Sequence, residues 1–552
     1  MKRIYLLAVL GLVFNNLCSQ NFSWANRAGL YAYDYGYGIV NDNAGNVYVA
    51  GKYEQHAFFS PDSLPNQGNH DIYLAKYNSS GILSWVRTGG GRSGDYAHAV
   101  ACDGANNVYV AGEIEKDTAT NWIIFPGSTI TLTTLGSNDV FLTKYDLNGN
   151  LLWARSAGGY KNDKAQGVTF DNAGNIYICG FFTDTASFGS TTVYGQGNTD
   201  IFVAKYDMNG NFQWVKNAGS ADRDEAKSIK CDAVGNVYVC GFYSNGTVFG
   251  TQTLTCTSGY YETFLAKYSP SGSLTWVKTG GGAYDDVSWS VTVDNAGLIY
   301  VSGEFNASAI FGTAPQLITN GNADVFVACY DALGNVQWVK GAGGPLIDRA
   351  RGIGSDGTNI FITGQFGNTA SFGSNTLNAA DSSDIFFAAL DNSGNFIRAL
   401  SVGGPADSYE PLGYESGIAI CGETSGNVYA TGSTLNGGVF GTTTLTPYSR
   451  TDVFVTQISQ LTSVNTLVSE AEFILLYPNP TNGNVTLGFT KEINQKVDVR
   501  VFNCYGQLLD TRSETASSKI NIDLSRQESG VYFIEVKIEN QNTLRKKIVV
   551  QN

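Results

Sequence analysis

Residues 200–214 read Asp-Ile-Phe-Val-Ala-Lys-Tyr-Asp-Met-Asn-Gly-Asn-Phe-Gln-Trp, and variants of this stretch recur along the chain. The copies begin at Asp71, Asp139, Asp200, Glu262, Asp324, Asp384 and Asp452. A second phrase, of which residues 174–180 (Gly-Asn-Ile-Tyr-Ile-Cys-Gly) are one copy, precedes each of them. The closing glycines of this second phrase are 61, 68, 61, 62, 61 and 68 residues apart. Seven copies of both phrases define seven units.

Each unit has the pattern of four β-strands. Apolar, β-branched and aromatic residues alternate, and clusters of the Asp-x-Asn-Gly-Asn type between them predict tight hairpin turns. In the second unit the strands are expected at 97–102, 108–111, 140–145 and around Trp153. No stretch has the pattern of a long helix. Four antiparallel strands repeated seven times predict an all-β fold, namely a seven-bladed β-propeller.

The two ends of the repeated region complement each other. The seventh unit stops after 452–458 and lacks the fourth strand, which carries the tryptophan in other units. Residues 22–29 (Phe-Ser-Trp-Ala-Asn-Arg-Ala-Gly) have the pattern of such a fourth strand but precede the first unit. We therefore expect the N-terminal strand to close the last blade and to satisfy the hydrogen bonds of its edge.

A third element, Phe-Gly, occurs in most units, at Phe188-Gly189, Phe249-Gly250, Phe311-Gly312, Phe372-Gly373 and Phe440-Gly441. Together with the phrases above, it makes residues 22–460 resemble the bacterial SBBP-type β-propeller repeat family. The departures are local: Arg398 replaces the tryptophan of the sixth unit, and the first unit has Phe59-Ser60 in place of Phe-Gly. The resemblance implies the same seven-bladed propeller.

The N-terminus has the order of a secretory signal peptide. Lys2 and Arg3 precede an apolar run at 4–14, which is too short to span a bilayer. We expect a signal peptide at 1–20, a propeller at 21–460, a linker at 461–472 and a further β-domain at 473–552. Eight cysteines remain after residue 20, and their positions inside strands favour buried thiols over disulfides.

The tail after Gln460 differs from the repeats. It contains Leu476-Tyr-Pro-Asn-Pro-Thr-Asn-Gly483, Ser529-Gly-Val-Tyr-Phe-Ile534 and Lys546-Lys-Ile-Val-Val550. Its alternating strands predict a small β-sandwich. The motifs resemble the type A C-terminal sorting domain of the type IX secretion system of Bacteroidota. The resemblance implies that 473–552 bind the secretion machinery, and that the protein passes through the periplasm to become secreted or attached to the outer-membrane surface.

Composition narrows the possible functions. The 552 residues include 48 acids and 34 bases, giving a net charge of −14, which argues against a nucleic-acid partner. Only three histidines and two methionines are present, and the common nucleophile, zinc-protease and phosphate-loop motifs are missing. We expect no cofactor, no metal and no membrane span.

The best candidate for a binding site is a position in the first strand of each unit that lies between two small residues. Its identity changes completely from unit to unit: Tyr37, His98, Gln166, Lys227, Trp289, Arg351 and Ile418. Converging around a channel mouth, the first six could bind a sugar or a peptide. The alternative is that these side chains only fill the channel.

An acid also recurs in every unit, at Asp34, Asp95, Asp163, Asp224, Asp286, Asp348 and Glu415. A structural role as acceptor of backbone hydrogen bonds is favoured over a ring of cation sites.

Two insertions interrupt the regular spacing, at 405–414 and between Gly112 and Asp139. The second carries an apolar cluster at 122–126 that either binds a partner or folds back on its own blade. The sequence thus favours a secreted or cell-surface binding or scaffold protein of unknown ligand. The alternative is an extracellular polysaccharide hydrolase or lyase on a propeller scaffold. A quinoprotein dehydrogenase is disfavoured, because it would have eight blades and adjacent cysteines.

Overall fold

The computed structural model describes residues 22–30, 32–42, 44–116, 122–257, 260–380, 382–404, 415–435, 437–446, 451–459, 461, 474–489, 495–503, 507–516, 519–538 and 543–551. The signal peptide expected at 1–20, the insertion at 405–414 and nearly all of the linker expected at 461–472 lie outside the described residues. Every regular element within them is a β-strand, which confirms the all-β prediction. The chain divides into two compact units, Met1–Thr462 and Ser463–Asn552.

The first compact unit contains seven sets of four antiparallel strands, which we call sheets 1–7, and short pairings join some of these sets into sheets of six or eight strands. The sheets are sheet 1, β2 (Tyr35–Asn41), β3 (Val47–Glu54), β6 (His70–Tyr77) and β7 (Leu83–Gly89); sheet 2, β8 (Asp95–Cys102), β9 (Val108–Glu115), β12 (Asn138–Tyr145) and β13 (Leu151–Ala157); sheet 3, β14 (Lys164–Phe170), β15 (Ile176–Phe182), β18 (Asp200–Tyr206) and β19 (Phe212–Gly219); sheet 4, β20 (Glu225–Cys231), β21 (Val237–Tyr243), β24 (Glu262–Tyr268) and β25 (Leu274–Gly282); sheet 5, β26 (Val287–Val293), β27 (Ile299–Phe311), β28 (Leu317–Tyr330) and β29 (Val336–Ala342); sheet 6, β30 (Arg349–Ser355), β31 (Asn359–Phe366), β34 (Asp384–Asp391) and β35 (Phe396–Val402); and sheet 7, β36 (Ser416–Gly422), β37 (Val428–Thr434), β40 (Asp452–Ile458) and β1 (Phe22–Leu30).

Sheet 7 combines strands from opposite ends of the first compact unit. Its fourth strand, β1, is the N-terminal strand and pairs antiparallel with β40 from Phe22↔Ile458 to Ala28↔Val453. The side chain of Phe22 is buried and packs edge-on against Phe440 at 5.4 Å. The pairing joins residues more than 420 positions apart.

A short hairpin extends the connection between the second and third strands in each sheet. In sheet 5 it is the continuation of β27 and β28, and in the other sheets it is a separate pair. These pairs are β4 (Ala57–Phe59) with β5 (Asp62–Leu64), β10 (Trp122–Ile124) with β11 (Thr131–Thr133), β16 (Thr185–Phe188) with β17 (Thr191–Tyr194), β22 (Val248–Phe249) with β23 (Gln252–Thr253), β32 (Thr369–Phe372) with β33 (Asn375–Asn378), and β38 (Gly438–Phe440) with β39 (Thr443–Leu445). Several hairpins also pair with the last strand of the preceding sheet, for example Phe249 with Ala218.

The apolar cores of the first compact unit lie between neighbouring sheets. Alternation along each strand places apolar side chains on both faces, and the described residues form seven clusters, each shared by two adjacent sheets. One of these clusters joins Val453 and Tyr429 of sheet 7 to Val49 and Tyr73 of sheet 1. The first strands also contact one another in cyclic order, and β36 contacts β2. The packing between sheets therefore runs in a closed cycle.

The recurring tryptophan joins sheets 1–5 and sheet 7 each to the next sheet in the cycle. Trp153 of sheet 2 donates its indole N–H to the carbonyl of Met208 in the last turn of sheet 3, at 3.3 Å. Gly210 in that turn has φ +75°, and a Cβ there would lie 3.0 Å from the Trp153 indole. The glycine is therefore required both by the left-handed backbone and by the close approach of the indole. Trp24 on β1 makes the same contact with the carbonyl of Ser79 in sheet 1.

The Asp-x-Asn-Gly-Asn clusters are hairpin turns whose carboxylates are occupied by the turn itself. In sheet 3, Asp207 Oδ1 accepts hydrogen bonds from the backbone N–H groups of Asn209 (2.9 Å) and Asn211 (2.8 Å). Its other oxygen accepts one from the Asn211 side chain at 2.8 Å. These contacts support the turn interpretation over a calcium loop.

The second compact unit contains two antiparallel sheets that share one apolar core. The strands are β41 (Ile474–Tyr477), β42 (Asn484–Phe489), β43 (Gln495–Asn503), β44 (Leu508–Ala516), β45 (Lys519–Asp523), β46 (Gly530–Ile538) and β47 (Thr543–Val550). One sheet has the order β41-β42-β45 and the other β44-β43-β46-β47. Alternate residues of both sheets, such as Leu487, Ile522, Val499 and Ile534, meet in the core. The pattern is that of two facing sheets, each with one apolar face.

Candidate functional site

All seven variable residues of the first strands occupy the same structural position. In each first strand the pairing register shifts by one residue, for example between Ala165 and Gly167 in β14, so that Gln166 is a β-bulge. The bulge residues are Tyr37, His98, Gln166, Lys227, Trp289, Arg351 and Ile418. A bulge turns its side chain out of the alternating pattern, and all seven of these side chains are half-buried.

The bulge residues line one cavity of about 540 Å³, bounded by the first strand of all seven sheets. Small residues on either side of each bulge allow the strands to approach closely. A Cβ on Gly36 would lie 2.2 Å from Thr431 Oγ1, and one on Gly417 would lie 1.9 Å from Thr363 Oγ1. The structure therefore brings the predicted site residues together around a common lumen.

A second cavity of about 700 Å³ adjoins the first at three of the bulge residues. Its lining is Tyr35, Tyr37, Asn322, Leu346, Ile347, Arg349, Arg351, Gln365, Gly367, Ser382, Ser383, Ser416, Ile418 and Ser433. Tyr37, Arg351 and Ile418 belong to both cavities. Leu346 and Ile347 are 41% and 40% exposed, so apolar surface faces the opening. We call this opening, together with the bulge residues that line the adjoining first cavity, the mouth.

A further set of residues surrounds the mouth and was not identified from the sequence. They are cross-strand pairs two positions before each bulge and one position after each closing glycine: Tyr35–Lys52, Tyr96–Glu113, Lys164–Phe181, Glu225–Phe242, Val287–Glu304, Arg349–Gln365 and Ser416–Ser433. We call them the rim. No two of these pairs have the same two residues, and this variation next to an unchanging glycine is the sequence signal that could have identified them.

Aromatic side chains form a continuous stack on one side of the mouth. Tyr35 lies parallel to Tyr37 at 5.7 Å, and Tyr37 is 5.3 Å from His98. His98 stacks on Tyr96 at 5.8 Å, and Tyr96 stacks on His70 at 5.3 Å. Burial raises the pKa of Tyr37 and raises that of Tyr96 to about 12, so both phenols stay neutral at physiological pH. These neutral phenols can donate hydrogen bonds.

Cations surround a tryptophan on the opposite side of the mouth. Lys227 Nζ lies 5.2 Å from the Trp289 ring and the Arg351 guanidinium lies 4.9 Å from it. Trp289 donates its indole N–H to Glu304 at 3.3 Å, and Arg349 forms an ion pair with the same carboxylate. Burial lowers the pKa of Lys227, although its partner Glu225 opposes that shift.

The carboxylates of the rim are held in ion pairs. Glu113 Oε1 is 2.8 Å from Lys164 and 3.2 Å from His98, and Asn138 donates to its other oxygen at 2.7 Å. Burial alone would raise the pKa of Glu113, but these contacts lower it below the usual value. Glu225 is paired in the same way with Lys227 at 2.7 Å, and its pKa is also lowered. Neither group has the raised pKa of a general acid.

The acid that recurs before each bulge ties the loops between sheets together. Asp163 accepts hydrogen bonds from the backbone N–H groups of Gly159 (2.7 Å) and Thr183 (3.0 Å). Asp95 and Asp286 accept equivalent pairs of backbone hydrogen bonds. These contacts support the structural role over a ring of cation sites. No group of three or more potential metal ligands occurs among the described residues.

The apolar insertion in sheet 2 folds back onto the protein in part. Ile123 and Phe125 are buried. The Phe125 ring packs so closely on Gly89 of sheet 1 that a Cβ on this glycine would lie 2.5 Å from the ring. Ile124 remains 41% exposed.

The cysteines of the described residues are free thiols, at positions 102, 179, 231, 240, 256, 329 and 421. Burial raises the pKa of Cys102, Cys256, Cys329 and Cys421 to about 12, which makes these thiols inert.

The tail matches a known family. Residues 475–551 match the family described as the secretion system C-terminal sorting domain. The tail is a type IX secretion system sorting domain. This sorting domain directs the protein to the cell surface or the extracellular space and implies contact with the secretion machinery. The described residues contain no helix long and apolar enough to cross a membrane.

The chain has partial likenesses to other proteins. It is 29% identical over 229 residues to an uncharacterised WD repeat-containing protein of Acanthamoeba polyphaga mimivirus, a match that covers 35% of this chain and 16% of that protein. It is 28% identical over 199 residues to the regulatory protein FlaEY of Caulobacter vibrioides, covering 33% of this chain and 20% of that protein. The chain thus spans a fifth or less of the length of these two relatives.

Solved structures show only distant likeness. The extracellular domain of a hybrid two-component system of B. thetaiotaomicron has a TM-score of 0.16 and 9% identity, covering 94% of this chain and 97% of that chain. Puromycin hydrolase has a TM-score of 0.29 and 11% identity, covering 74% of this chain and 59% of that chain. These scores carry no weight for fold or function.

Proposed function

We propose that sheets 1–7 are the blades of a seven-bladed β-propeller, closed by β1. The support is the closed cycle of apolar cores and first-strand contacts, together with the pairing of β1 with β40. We further propose a signal peptide at 1–20, a propeller at 21–460 of the SBBP-type repeat, a linker at 461–472 and a β-sandwich sorting domain at 473–552.

Deletion of the N-terminal strand tests the closed propeller. Removing residues 21–27 deprives β40 of its partner strand and sheet 7 of the buried Phe22. We expect the thermal midpoint of the propeller to fall by more than about 10 °C. The matched control removes 473–552, which belong to the other compact unit, and is expected to leave that midpoint unchanged. An unchanged midpoint after the first deletion would contradict closure by β1.

We propose that the protein is a secreted or surface-attached binding protein that takes its ligand at the mouth. The observation that carries this proposal is that seven equivalent bulges, which the scaffold repeats without change, present seven different side chains to one lumen. A purely space-filling role would not require tyrosine, histidine, lysine, tryptophan and arginine at one position. Aromatic faces and cations together suit a sugar or a peptide.

An array screen of the mature secreted chain against glycans and peptides tests this proposal. For each ligand found, Trp289→Ala and His98→Ala are expected to weaken binding at least tenfold, because each removes part of the mouth. The matched control is Lys230→Ala, an exposed charge at the other end of first strand β20. Equal binding by all three variants would contradict the mouth as the binding site.

A polysaccharide hydrolase or lyase is the second candidate. One observation favours it: Tyr37 and His98, a pair found among proton-transfer residues, lie 5.3 Å apart in the lumen. Release of new reducing ends from polysaccharides by the mature chain, abolished by His98→Ala, would establish this activity. The ion-paired state of Glu113 and Glu225 supports binding instead, because glycoside hydrolysis needs a carboxylic acid free to donate its proton.

A further inference from the structure

Within the described residues, Arg351 is a guanidinium without a counter-ion. It occupies the bulge of β30, where it lines both cavities at their junction. No carboxylate of the described residues lies within salt-bridge distance of it, and its buried Nε makes no hydrogen bond. Its stable contact is with the face of Trp289, 4.9 Å from the ring centroid. An arginine side chain stays protonated at any physiological pH. Burying this guanidinium without a counter-ion therefore costs free energy.

The other cations around the mouth are all paired. Lys52 lies 3.2 Å from Glu54, Lys164 lies 2.8 Å from Glu113 and Lys227 lies 2.7 Å from Glu225. Arg349 is paired with Glu304. The negative charge of Glu304 also attracts the Arg351 guanidinium, but the positive charge of Arg349 repels it. Among the residues that the structure describes, one positive charge therefore remains uncompensated where the two cavities meet.

The second cavity provides room and apolar contact beside this charge. Its volume of about 700 Å³ lies in the range of small-molecule sites. Tyr37 and Ile418 bound it next to Arg351, and Leu346 and Ile347 form an apolar wall at the opening. An occupant that satisfies both features has one negative charge and an apolar body.

We propose that the mouth binds a small organic carboxylate with an apolar or aromatic body, whose carboxylate is held by Arg351. This inference rests on the proposed binding function and names its ligand class. A planar carboxylate matches the fork of a guanidinium with two hydrogen bonds. A doubly charged phosphate would need a second free cation, and the described part of the mouth has none, because its other lysines and arginines are ion-paired.

Two matched probes isolate the charge from the apolar body. N-acetyl-L-phenylalanine and its amide have the same size and ring and differ in the carboxylate alone. Titration calorimetry of the mature secreted chain with each probe, up to about 5 mM, is expected to give at least tenfold tighter binding of the acid. Arg351→Gln is expected to abolish this preference, and Arg351→Lys to restore only part of it, because an ammonium lacks the fork.

Lys205→Gln is the matched control, because it removes a cation that lines neither cavity and whose ammonium donates to the carbonyl of Pro270 at 3.0 Å. It is expected to leave the preference for the acid intact, and near-ultraviolet circular dichroism checks that each variant is folded. Equal binding of acid and amide, no binding of either, or a preference that survives Arg351→Gln would each overturn the inference. If array ligands still require Trp289 and His98 but not Arg351, the proposed function stands and this inference alone fails.

Discussion

Two carboxylates buried between sheets 2 and 3, Asp139 and Asp163, are expected to make the stability of the protein depend on pH. Both side chains lie against Gly158. A Cβ on this glycine would lie 2.3 Å from Asp139 Oδ1 and 2.8 Å from Asp163 Oδ2. Asp163 accepts two backbone hydrogen bonds, whereas Asp139 Oδ1 is buried and accepts none. Burial raises the pKa of Asp139 to about 6 and that of Asp163 to about 7. The Asp139 carboxylate also contributes to the raised pKa of Asp163.

The sign of the pH dependence follows from these raised values. The unfolded chain ionises both groups near 3.8, so the folded state binds more protons between that pH and about 7. Their contribution to stability is therefore fully present below pH 3.8 and is lost as the pH rises through 6 to 7. For Asp139 a shift of about two units corresponds to roughly 3 kcal/mol. The interface is expected to be less stable at pH 8 than at pH 5.

Asp139→Asn removes this penalty without changing the shape of the side chain. The remaining oxygen still accepts the backbone N–H of Leu135, and the new amide nitrogen takes the place of the orphan oxygen facing Asp163. We expect the variant to exceed the parent in free energy of unfolding by about 1 to 3 kcal/mol at pH 8, and by less at pH 5. Urea unfolding followed by tryptophan fluorescence at several pH values measures the difference.

Asp207→Asn is the matched control of opposite sign. Despite the opposing effect of burial, hydrogen bonds from Asn211 and Asn209 lower the pKa of this turn aspartate. Its contribution is present above about pH 3.8 and is lost below it, so the variant is expected to be destabilised equally at pH 5 and pH 8. If Asp139→Asn is less stable than the parent at pH 8, or if its difference does not vary with pH, the reasoning about the buried pair is refuted.

Three further predictions concern the scaffold and the tail. Gly210→Ala is expected to cost about 2 kcal/mol or more in urea unfolding, because its Cβ would meet Trp153, whereas Gly246→Ala, at a similar φ but in open space, is expected to cost only about 1 kcal/mol. Phe22→Ala is expected to lower the free energy of unfolding by about 3 kcal/mol, and a value near zero would contradict the burial of that ring. Removal of 473–552 is expected to keep the protein in the periplasm in cell fractionation, and surface display of the truncated chain would contradict export through the sorting domain.

Much of the candidate site could be located from repetition in the sequence. Aligned units show that one position between two small residues changes identity in every copy, and that position lines the lumen at Tyr37, His98 and Trp289. The aligned units also show that the rim pairs vary, but which of their charges form ion pairs between neighbouring sheets could not be found in this way. Lys164 and Glu113 are 51 residues apart in sequence and 2.8 Å apart in space. That Arg351 has no partner within the described part of the chain is likewise visible only once the neighbouring carboxylates there are located.

The sequence by itself determined the strands, the turns, the number of units and the route of export. These properties depend on local alternation, on turn residues such as the glycine of each hairpin, and on motifs read by the secretion machinery. The tertiary structure alone decided which side chains leave the strand pattern as bulges, which charges are paired and which carboxylates share a buried space. Those outcomes depend on register and on contacts between distant strands, and burial acts on charges only after the sheets have packed together.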